Sequence, residues 1–411
     1  MVHDPYASLR SPEFSAYLAS MACVNVATQI QSAVLGWQVY AATGDALSLG
    51  LVGLAEALPF LALTLVGGWA ADLLDRRTLS LVSLATVGAS GGWLLVLSWG
   101  RPGSILPLYG AQAVAGVGRA FFRPASAALS TELVPIEHYR NAATWRSSVF
   151  HTAMVVGPAT GGMLIAVGGP TIAYAVVVAL TILGFVALST LASHPRKGVL
   201  LGRALGGFAD GARFVFAQPL LLGAMSLDLF AVLFGGATAL LPVFAKDILR
   251  VGEVGFGLLR AAPAVGSLAM SIALSRMGEF RRSGRVLLWS VAFFGITWMA
   301  FAFSRSFPLS LALLALGGAL DNVSVVLRST LVQTISPPDR MGRVAAVNSF
   351  FIGSSNELGA FESGLAARLM GVVPSVVFGG AMTLATVALV AWRAPSLRRL
   401  RRIRRSLRPV S

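Results

Sequence analysis

The sequence predicts an all-α integral membrane protein of twelve transmembrane helices, in two pseudo-symmetric halves of six with both termini in the cytoplasm. The first observation is composition: 56% of the 411 residues are hydrophobic and only 12% are charged, with a mean hydropathy of +0.76. A soluble chain carries about 25% charged residues. The second observation is the length of the apolar runs, because a membrane-crossing helix needs about 20 apolar residues.

Twelve such runs follow one another along the chain. The strands of an outer-membrane barrel would alternate in short segments, whereas these runs are long and continuously apolar. The first run is too long for a signal peptide and no small-residue cleavage site follows it, so we expect it to remain as a helix. The predicted segments lie near residues 15–42, 48–71, 78–99, 105–127, 142–167, 170–193, 217–244, 253–275, 285–304, 307–330, 344–370 and 373–392.

The distribution of Lys and Arg predicts the orientation. With the N-terminus inside, the outer loops contain only Arg101, Lys246, Arg250 and Arg305, and the opposite loops hold most of the arginines. This asymmetry places both termini in the cytoplasm and accounts for most of the net charge of +15. The excess of basic residues is therefore explained by membrane topology and by attraction to anionic lipid, and we expect no nucleic-acid partner.

The longest polar connection predicts the division of the chain. A cytoplasmic linker at 195–216 separates an N-terminal half at 1–194 from a C-terminal half at 217–393. A basic tail at 394–411 follows, in which pairs of arginines alternate with Leu or Ile. Two structures are open for the tail: an amphipathic helix bound to anionic lipid of the inner leaflet, or a disordered segment that only fixes topology.

An internal repeat relates the two halves. Aligning Pro135, before the fifth segment, with Pro338, before the eleventh, also aligns Arg140 with Arg343. The same unit is therefore used twice. A parallel six-plus-six repeat is typical of secondary transporters, whose binding site lies between the repeats near the middle of the membrane.

The connection after the second segment reads GGWAADLLDRR. Gly68 permits close approach of two helix ends. The carboxylate of Asp72 can pair with basic groups or a helix N-terminus, and Arg76 and Arg77 hold the loop inside. This loop resembles the loop signature of the major facilitator superfamily, although a leucine follows the aspartate where the family has an arginine. The matching second-half loop lacks the aspartate, so a latch is expected in one half only, unless Asp72 serves topology alone.

The fifth segment contains the run VVGPATGGML. In a soluble helix each glycine costs about 1 kcal/mol and a proline about 3 kcal/mol, but in lipid small residues let helices pack backbone to backbone. Gly157, Gly161 and Gly162 are therefore expected to form a closely packed face, with a kink at Pro158. The run resembles the glycine-proline motif of the superfamily's antiporters, which implies a seal on one side and favours exchange or export. Ordinary close packing is the alternative.

Several runs of the second half, among them GLLRAAPAVG and SNELGAFESG, resemble the enterobactin-exporter-like branch of the superfamily. That branch implies proton-driven export of siderophores or other amphipathic molecules, and its drug-exporting relatives leave the cargo open. The polar residues within these family-like runs are Arg260, Asn356, Glu357 and Glu362.

Ionisable side chains within a span are functional candidates. Glu56, Asp228 and Asp321 fall near mid-span and are the candidates for proton coupling. In the superfamily fold the first, fourth, seventh and tenth helices line the central cavity. The resemblance therefore implies a cargo cavity formed by Asn25, Gln29, Gln31, Arg119, Asp228 and Asp321. Gating residues near the cytoplasmic helix ends would be Arg123, Arg140, Arg328 and Arg343.

The spacing within the tenth segment decides between the carboxylates. Asp321 and Arg328 are seven residues apart and so share a helix face, where Arg328 is expected to hold Asp321 ionised or to form a purely structural ion pair with it. A buried carboxylate can take up a proton because desolvation disfavours its charged form. We therefore expect Asp228 to carry the proton, with Asp321 and Arg119 as cargo or switching partners and Glu56 in reserve.

The sequence contains no catalytic constellation, no nucleotide-binding GxxxxGK[ST] loop and no Cys/His cluster, so we expect no enzyme activity, no cofactor and no metal. The leading hypothesis is a monomeric secondary exporter of a small amphipathic molecule, in exchange for protons, in the bacterial cytoplasmic (inner) membrane. Proton-coupled or facilitated import is one alternative, against which the glycine-proline motif argues. The other is a transporter-like sensor that binds its ligand without flux.

Overall fold

The computed structural model describes residues 6–100, 104–193, 201–277, 280–337 and 340–401, without the side chains of 201–206 and 357, and these residues form helices and no strand. Arg101 and the tail beyond residue 401 lie outside the described residues. The helices are α1 (Pro12–Thr43), α2 (Ala46–Leu73), α3 (Arg76–Trp99), α4 (Leu106–Leu129), α5 (Tyr139–Ser189), α6 (Leu201–Ala217), α7 (Pro219–Gly235), α8 (Leu241–Val243), α9 (Gly252–Arg276), α10 (Ser283–Phe303), α11 (Phe307–Ile335), α12 (Met341–Met370), α13 (Val372–Arg393) and α14 (Pro395–Arg399).

The ends of α1 follow from its sequence. The Ser11 side chain accepts a hydrogen bond from the Phe14 N–H at 3.3 Å, and Pro12 occupies the first helical position, where its missing N–H has no cost. The helix ends at Gly44, whose φ of 62° is left-handed and suits glycine. The helix therefore begins and ends at residues with the local chemistry for doing so.

The longest helix, α5, is broken inside. Gly168 and Gly169 have non-helical backbone angles, and Gly169 has a φ of 70° that residues with a side chain rarely adopt. Pro170 follows and begins a new helical run. The break falls between the predicted segments at 142–167 and 170–193, so α5 consists of two helical stretches.

Within the described part of the chain, nine helical stretches are long and apolar enough to cross a membrane. The break in α5 divides one of them. The helices α4 and α12, of 24 and 30 residues, are not among the nine. Both are interrupted by polar side chains, such as Arg119 in α4 and Asn356 in α12. The apolar helices make the chain a multi-pass membrane protein.

The chain divides into two compact units. The boundary between Ala204 and Leu205 falls inside the predicted linker. The units nevertheless differ from the predicted halves, because a short segment of each half is assigned to the other unit. Unit 1 consists of Met1–Gly44, Leu54–Ala204 and Gly252–Ala261, and unit 2 of Asp45–Gly53, Leu205–Val251 and Ala262–Ser411.

Glycines explain both exchanged segments. Within unit 1, a Cβ on Gly162 would lie 2.5 Å from the carbonyl oxygen of Glu253 and 2.9 Å from Cα of Gly257. Within unit 2, a Cβ on Gly364 would lie 2.8 Å from Cα of Gly50. Helices in contact at the backbone are held by packing over their small residues, so each exchanged segment belongs to the unit on which it packs.

Each unit has its own apolar core. In unit 1, α1 packs on α5, and α3 packs on α4 and α5. Fully buried Phe14, Tyr17 and Leu84 lie in that core. In unit 2, α7 packs on α12 and α13, and α10 packs on α11 and α13, around residues such as Leu221 and Leu331.

The predicted linker at 195–216 contains a helix. Most of it is α6, which contacts α12 within unit 2: a Cβ on Gly211 would lie 2.7 Å from the Arg343 carbonyl oxygen, and Asp210 forms a 3.4 Å ion pair with Arg343. The polar connection between the predicted halves is therefore a packed element of unit 2 and not only a spacer.

Candidate functional site

A buried ion pair joins α7 to α11 in unit 2. The guanidinium of Arg328 donates a hydrogen bond to the carboxylate of Asp228. Both residues are almost inaccessible, at 3% and 4% exposed. A buried charge is retained when it is paired and hydrogen-bonded, so each of these groups depends on the other.

Asp321 completes a cluster of three charges. It lies two helical turns before Arg328 on α11 and is within electrostatic range of both Arg328 and Asp228. Among the described residues it forms no ion pair of its own. The next residue, Asn322, donates a hydrogen bond to Ser267 of α9 at 2.9 Å, which fixes this turn of α11. The cluster therefore has two carboxylates and one guanidinium.

The ion pair that Arg328 forms is with Asp228 and not with Asp321 as predicted. Helix periodicity within α11 indicates Asp321, but the guanidinium binds Asp228 of α7 instead. The physical reason is that a seven-residue spacing sets a shared face without bringing the two side chains into contact, whereas α7 packs directly on α11. The argument for Asp228 as a carboxylate without a counter-charge does not hold.

A second buried pair joins α2 to α4 in unit 1. The carboxylate of Glu56, which is 6% exposed, binds the guanidinium of Arg119 and accepts a hydrogen bond from the Gln112 amide. Between these two partners on α4, Gly116 lies against the backbone of Glu56, and a Cβ there would overlap its carbonyl oxygen. Gln112, Gly116 and Arg119 thus form one face of α4 directed at Glu56.

The predicted cavity residues of α1 lie in unit 1 and have local contacts. Gln31 is 4% exposed and donates a hydrogen bond to Ser90 of α3 at 3.1 Å. It packs between α1 and α3, and its place in a cargo cavity stays a prediction. Asn25 donates to the carbonyl of Met21 on its own helix at 2.7 Å, and Gln29 contacts Gly157. Arg119, also predicted to line the cavity, forms its ion pair with Glu56 in the same unit.

The loop between α2 and α3 is held chiefly by Arg76. Its guanidinium donates to the carbonyl of Ala128 near the end of α4 and to the carboxylate of Glu132, both at 3.0 Å. It also donates to the carbonyl of Ala71 at the end of α2. A cation at two helix C-termini interacts favourably with both helix dipoles. Asp72 is 4.0 Å from Arg76, and its side chain is 54% exposed.

One detail of this loop differs from prediction, and two further contacts hold it. A Cβ on Gly68 would meet nothing within 4 Å, whereas one on Gly67 would overlap the carbonyl of Ala120. Gly67, one position earlier on the helix, is therefore the residue that permits close approach of α2 to α4. Arg77 donates to the carbonyl of Ser189 at the end of α5. Asp75 accepts from the Thr78 N–H at 2.8 Å and caps α3.

These contacts predict that Glu132 matters more than Asp72. Glu132→Gln removes the charge that holds Arg76 at 3.0 Å, and partly buried charged hydrogen bonds contribute about 1.5–3 kcal/mol. Asp72→Asn weakens only an exposed pair, worth about 0–1 kcal/mol. We expect transport by the Glu132 variant to fall several-fold at normal membrane abundance and transport by the Asp72 variant to change less. Equal rates for the two variants would contradict this order.

The three motif glycines of α5 do not form the single face that was predicted, because they pack on two different helices within unit 1. Gly157 lies against Gln29 and Val26 of α1, and a Cβ on Gly161 would lie 3.6 Å from Ala33 of the same helix. Gly162 faces the opposite way, toward the start of α9. Pro158, buried between these glycines, has its carbonyl oxygen against Gly257. The motif therefore packs α5 on both neighbours.

The remaining predicted residues are not members of either ion pair. Arg123 lies over the ring of Phe60 at 5.2 Å. The side chain of Arg140 is exposed at the start of α5. Arg260 donates to the Ser32 hydroxyl of α1 at 2.7 Å. On α12, Asn356 donates to the carbonyl one turn earlier on its own helix, Glu362 is partly buried, and the Glu357 side chain lies outside the described residues.

No group of three or more His, Cys, Asp or Glu side chains that could hold a metal ion occurs in the part of the chain that the structure describes. The structure brings charged side chains together between helices in the two ion pairs described above. Sequence reasoning missed Gln112, Glu132 and Asn322, although Gln112 carries a readable signal, since it shares a helix face with Gly116 and Arg119.

Apolar helices that contact through glycine and bury paired charges are typical of membrane transporters. The family model described as transmembrane secretion effector, of the major facilitator superfamily, matches residues 3–404, and the chain belongs to this family. It is therefore a multi-pass transporter of the cytoplasmic membrane.

Named relatives cover nearly the whole chain. The multidrug efflux pump Tap of Mycolicibacterium fortuitum is 27% identical over 378 residues, which are 89% of this chain and 91% of that protein. The enterobactin exporter EntS of Shigella flexneri is 26% identical over 394 residues, or 93% and 90% of the two chains. The chain is thus similar to efflux pumps of both kinds.

A solved structure supports the fold. The crystal structure of a D-xylose-proton symporter aligns with a TM-score of 0.73, covering 96% of this chain and 99% of that chain at 13% identity. A likeness at this identity shows the superfamily fold and nothing about the cargo.

Proposed function

We propose that the protein is a secondary active exporter of a small amphipathic molecule, either siderophore-like or drug-like, and that it exchanges this cargo for protons by alternating access. The names of its relatives support export. The observation that carries proton coupling is the cluster of Asp228, Asp321 and Arg328 on α7 and α11.

The charge of that cluster gives the mechanism. With both carboxylates ionised it carries one net negative charge, and a buried excess charge is costly in a low-dielectric interior. One bound proton removes the excess. Because Arg328 already forms an ion pair with Asp228, we expect the proton to bind to Asp321. This revises the expectation that Asp228 alone carries it, and makes the three side chains one coupling unit.

The excess charge also explains exchange. A polar or cationic group of the cargo competes with the proton for the same negative charge, so that binding of one favours release of the other. Inward movement of one proton supplies about 2.3 kcal/mol per 100 mV of membrane potential, in addition to the pH gradient. Glu56 carries no such excess, since Arg119 neutralises it, and its pair is assigned a structural or switching role.

We further propose twelve transmembrane segments with both termini in the cytoplasm. The two stretches of α5, together with α4 and α12, complete the set. In this orientation the cytoplasmic side contains the gating residues Arg76, Glu132 and Arg343. The outer side contains the two glycine contacts described above, Gly50 with Gly364 and Gly162 with Gly257. Alternating access then requires those glycine contacts to separate and re-form.

The coupling proposal is tested in proteoliposomes that contain the purified protein and a trapped pH dye. Ethidium, as a drug-like cation, or enterobactin is added under an imposed pH gradient. The wild type should move protons only when cargo is present. Asp321→Asn should lose gradient-driven accumulation yet still exchange labelled for unlabelled cargo, because exchange needs no net proton movement. Asp321→Glu, which keeps the carboxylate, is the matched control and should retain part of the activity.

Three results would overturn the proposal. Full gradient-driven accumulation by Asp321→Asn would remove the cluster from proton coupling. Cargo accumulation in right-side-out vesicles, with none in everted vesicles, would identify an importer. Saturable ligand binding without flux in either preparation would indicate a sensor.

A further inference from the structure

A cavity of about 850 Å³ lies in unit 2, at the N-terminal end of α10 and the C-terminal end of α13. Its third wall is the C-terminal segment Pro395–Arg401, which follows α13 and begins with the short helix α14. The cavity is remote in sequence from the charge cluster of α7 and α11, and the proposed transport mechanism does not use it.

The C-terminal segment is fixed in place by its backbone. The N–H of Ser283 donates to the carbonyl of Arg401 at 2.9 Å, and the N–H of Gly284 donates to that of Leu400 at 3.3 Å. A side chain at Gly284 would overlap the carbonyl of Leu397, which is fully buried. The segment thus satisfies amides at the start of α10 that have no partner within that helix. The wall that this segment forms is therefore held in place by backbone hydrogen bonds.

Five arginines surround this cavity. They come from the start of α10 and from the C-terminal segment: Arg282, Arg285, Arg398, Arg399 and Arg401. No carboxylate is among the described residues that line it. The sequence contains no Asp or Glu from residue 280 to 320 or after residue 362. Five exposed cations around one space favour binding of an anion, and planar guanidinium groups suit phosphate oxygens in particular.

The remaining wall is apolar. It includes Leu288 and Trp289 of α10 and Val387 and Ala391 of α13. The Trp289 side chain is 61% exposed although it belongs to an apolar spanning helix. Tryptophan is enriched at the level of lipid headgroups, where a span meets the polar region. A free phosphate ion would not contact such a wall, whereas the acyl chain of a lipid would.

We propose that this cavity binds one anionic phospholipid of the adjacent leaflet, with the phosphate among the arginines and an acyl chain along Leu288 and Trp289. Basic pockets between transmembrane helices bind phospholipid headgroups through this combination of contacts. The proposal goes beyond transport, because it assigns a structural ligand to the end of the chain. It also replaces general attraction of a basic tail to the membrane with a defined site.

The test compares two double variants that remove the same charge. Arg285→Ala/Arg399→Ala removes two lining residues, and Arg281→Ala/Arg393→Ala removes two neighbours that do not line the cavity. Delipidated protein in detergent is titrated with phosphatidylglycerol or phosphatidylcholine, and the lipid-bound fraction is measured by native mass spectrometry. Each arginine near an anionic lipid contributes about 1 kcal/mol, so the lining pair should weaken phosphatidylglycerol binding roughly thirtyfold. The control pair should change it less than about twofold.

A second measurement locates the lipid without depending on these variants. Phosphatidylglycerol with brominated acyl chains should quench the fluorescence that Trp289→Phe removes, and brominated phosphatidylcholine should not. Arg285→Lys/Arg399→Lys, which keeps the charge, should retain part of the binding. Equal losses for the two alanine pairs would reduce the effect to general surface charge. Inorganic phosphate or glycerol phosphate that competes as well as the lipid would identify a free-anion site instead. Either result overturns the proposal.

Discussion

An Arg328→Met variant is expected to lose most of its thermal stability in detergent and all of its proton-driven transport. The substitution leaves Asp228 and Asp321 without a counter-charge, and removing one partner of a buried ion pair costs about 3–5 kcal/mol. The measurement is the unfolding temperature at a fixed heating rate, together with flux in proteoliposomes. Arg281→Met, an exposed arginine before α10, is the control and should leave both close to wild type.

A double variant separates charge from packing in the same experiment. Arg328→Met alone gives the cluster two negative charges, while Asp228→Asn/Arg328→Met returns it to one, as in the wild type. The double variant should therefore recover much of the lost stability without recovering proton-driven transport. If the double variant were less stable than the single variant, the two side chains would not be energetically coupled.

The second large effect is expected at the contact between α5 and the start of α9. Gly162→Ala places a methyl group 2.5 Å from the Glu253 carbonyl oxygen and 2.9 Å from Cα of Gly257, so the helices must separate. Overpacking of this kind costs about 1–3 kcal/mol. Stability in detergent should fall and transport should be largely lost, because the same contact is proposed to open and close during the cycle.

The neighbouring glycine supplies a control with the same chemical change. A methyl group at Gly161 would lie 3.6 Å from its nearest neighbours on α1, which is ordinary van der Waals contact. Gly161→Ala should therefore keep stability and flux near wild type. Equal losses for Gly161→Ala and Gly162→Ala would mean that alanine affects α5 through its backbone and not through the α9 contact.

Properties of single segments could be predicted from the sequence. Apolar length indicated the nine stretches of the described residues that are apolar enough to span a membrane. The predicted boundary between the fifth and sixth segments coincides with the break at Gly168 and Gly169. The close packing of Gly157 and Gly161 was predicted from small residues one turn apart, whereas Gly162 packs on a different helix. Each of these depends on a local pattern, because in lipid the backbone N–H and C=O groups of a helix must form hydrogen bonds within that helix.

Partners between helices could not be predicted in the same way. Asp321 shares a helix face with Arg328, yet the guanidinium binds Asp228, 100 residues away. Periodicity within one helix contains no information on which neighbour packs against it, or at what height. The same limit explains why Gly67, and not the adjacent Gly68, contacts α4: a shift of one residue turns the helix by about 100°.

The position of Gly50 in unit 2 has a consequence for the biosynthesis of the chain. This glycine packs on Phe361 and Gly364 of α12, so the first turns of α2 enter the membrane long before their partner helix exists. At about 5–20 residues per second, roughly 15–60 s separate the synthesis of the two. Until then a backbone surface meant for another helix faces lipid or the insertion machinery. Translation must therefore reach α12 before α2 can acquire its final neighbours, and a chain that stops earlier leaves unit 2 incomplete at its first segment, Asp45–Gly53.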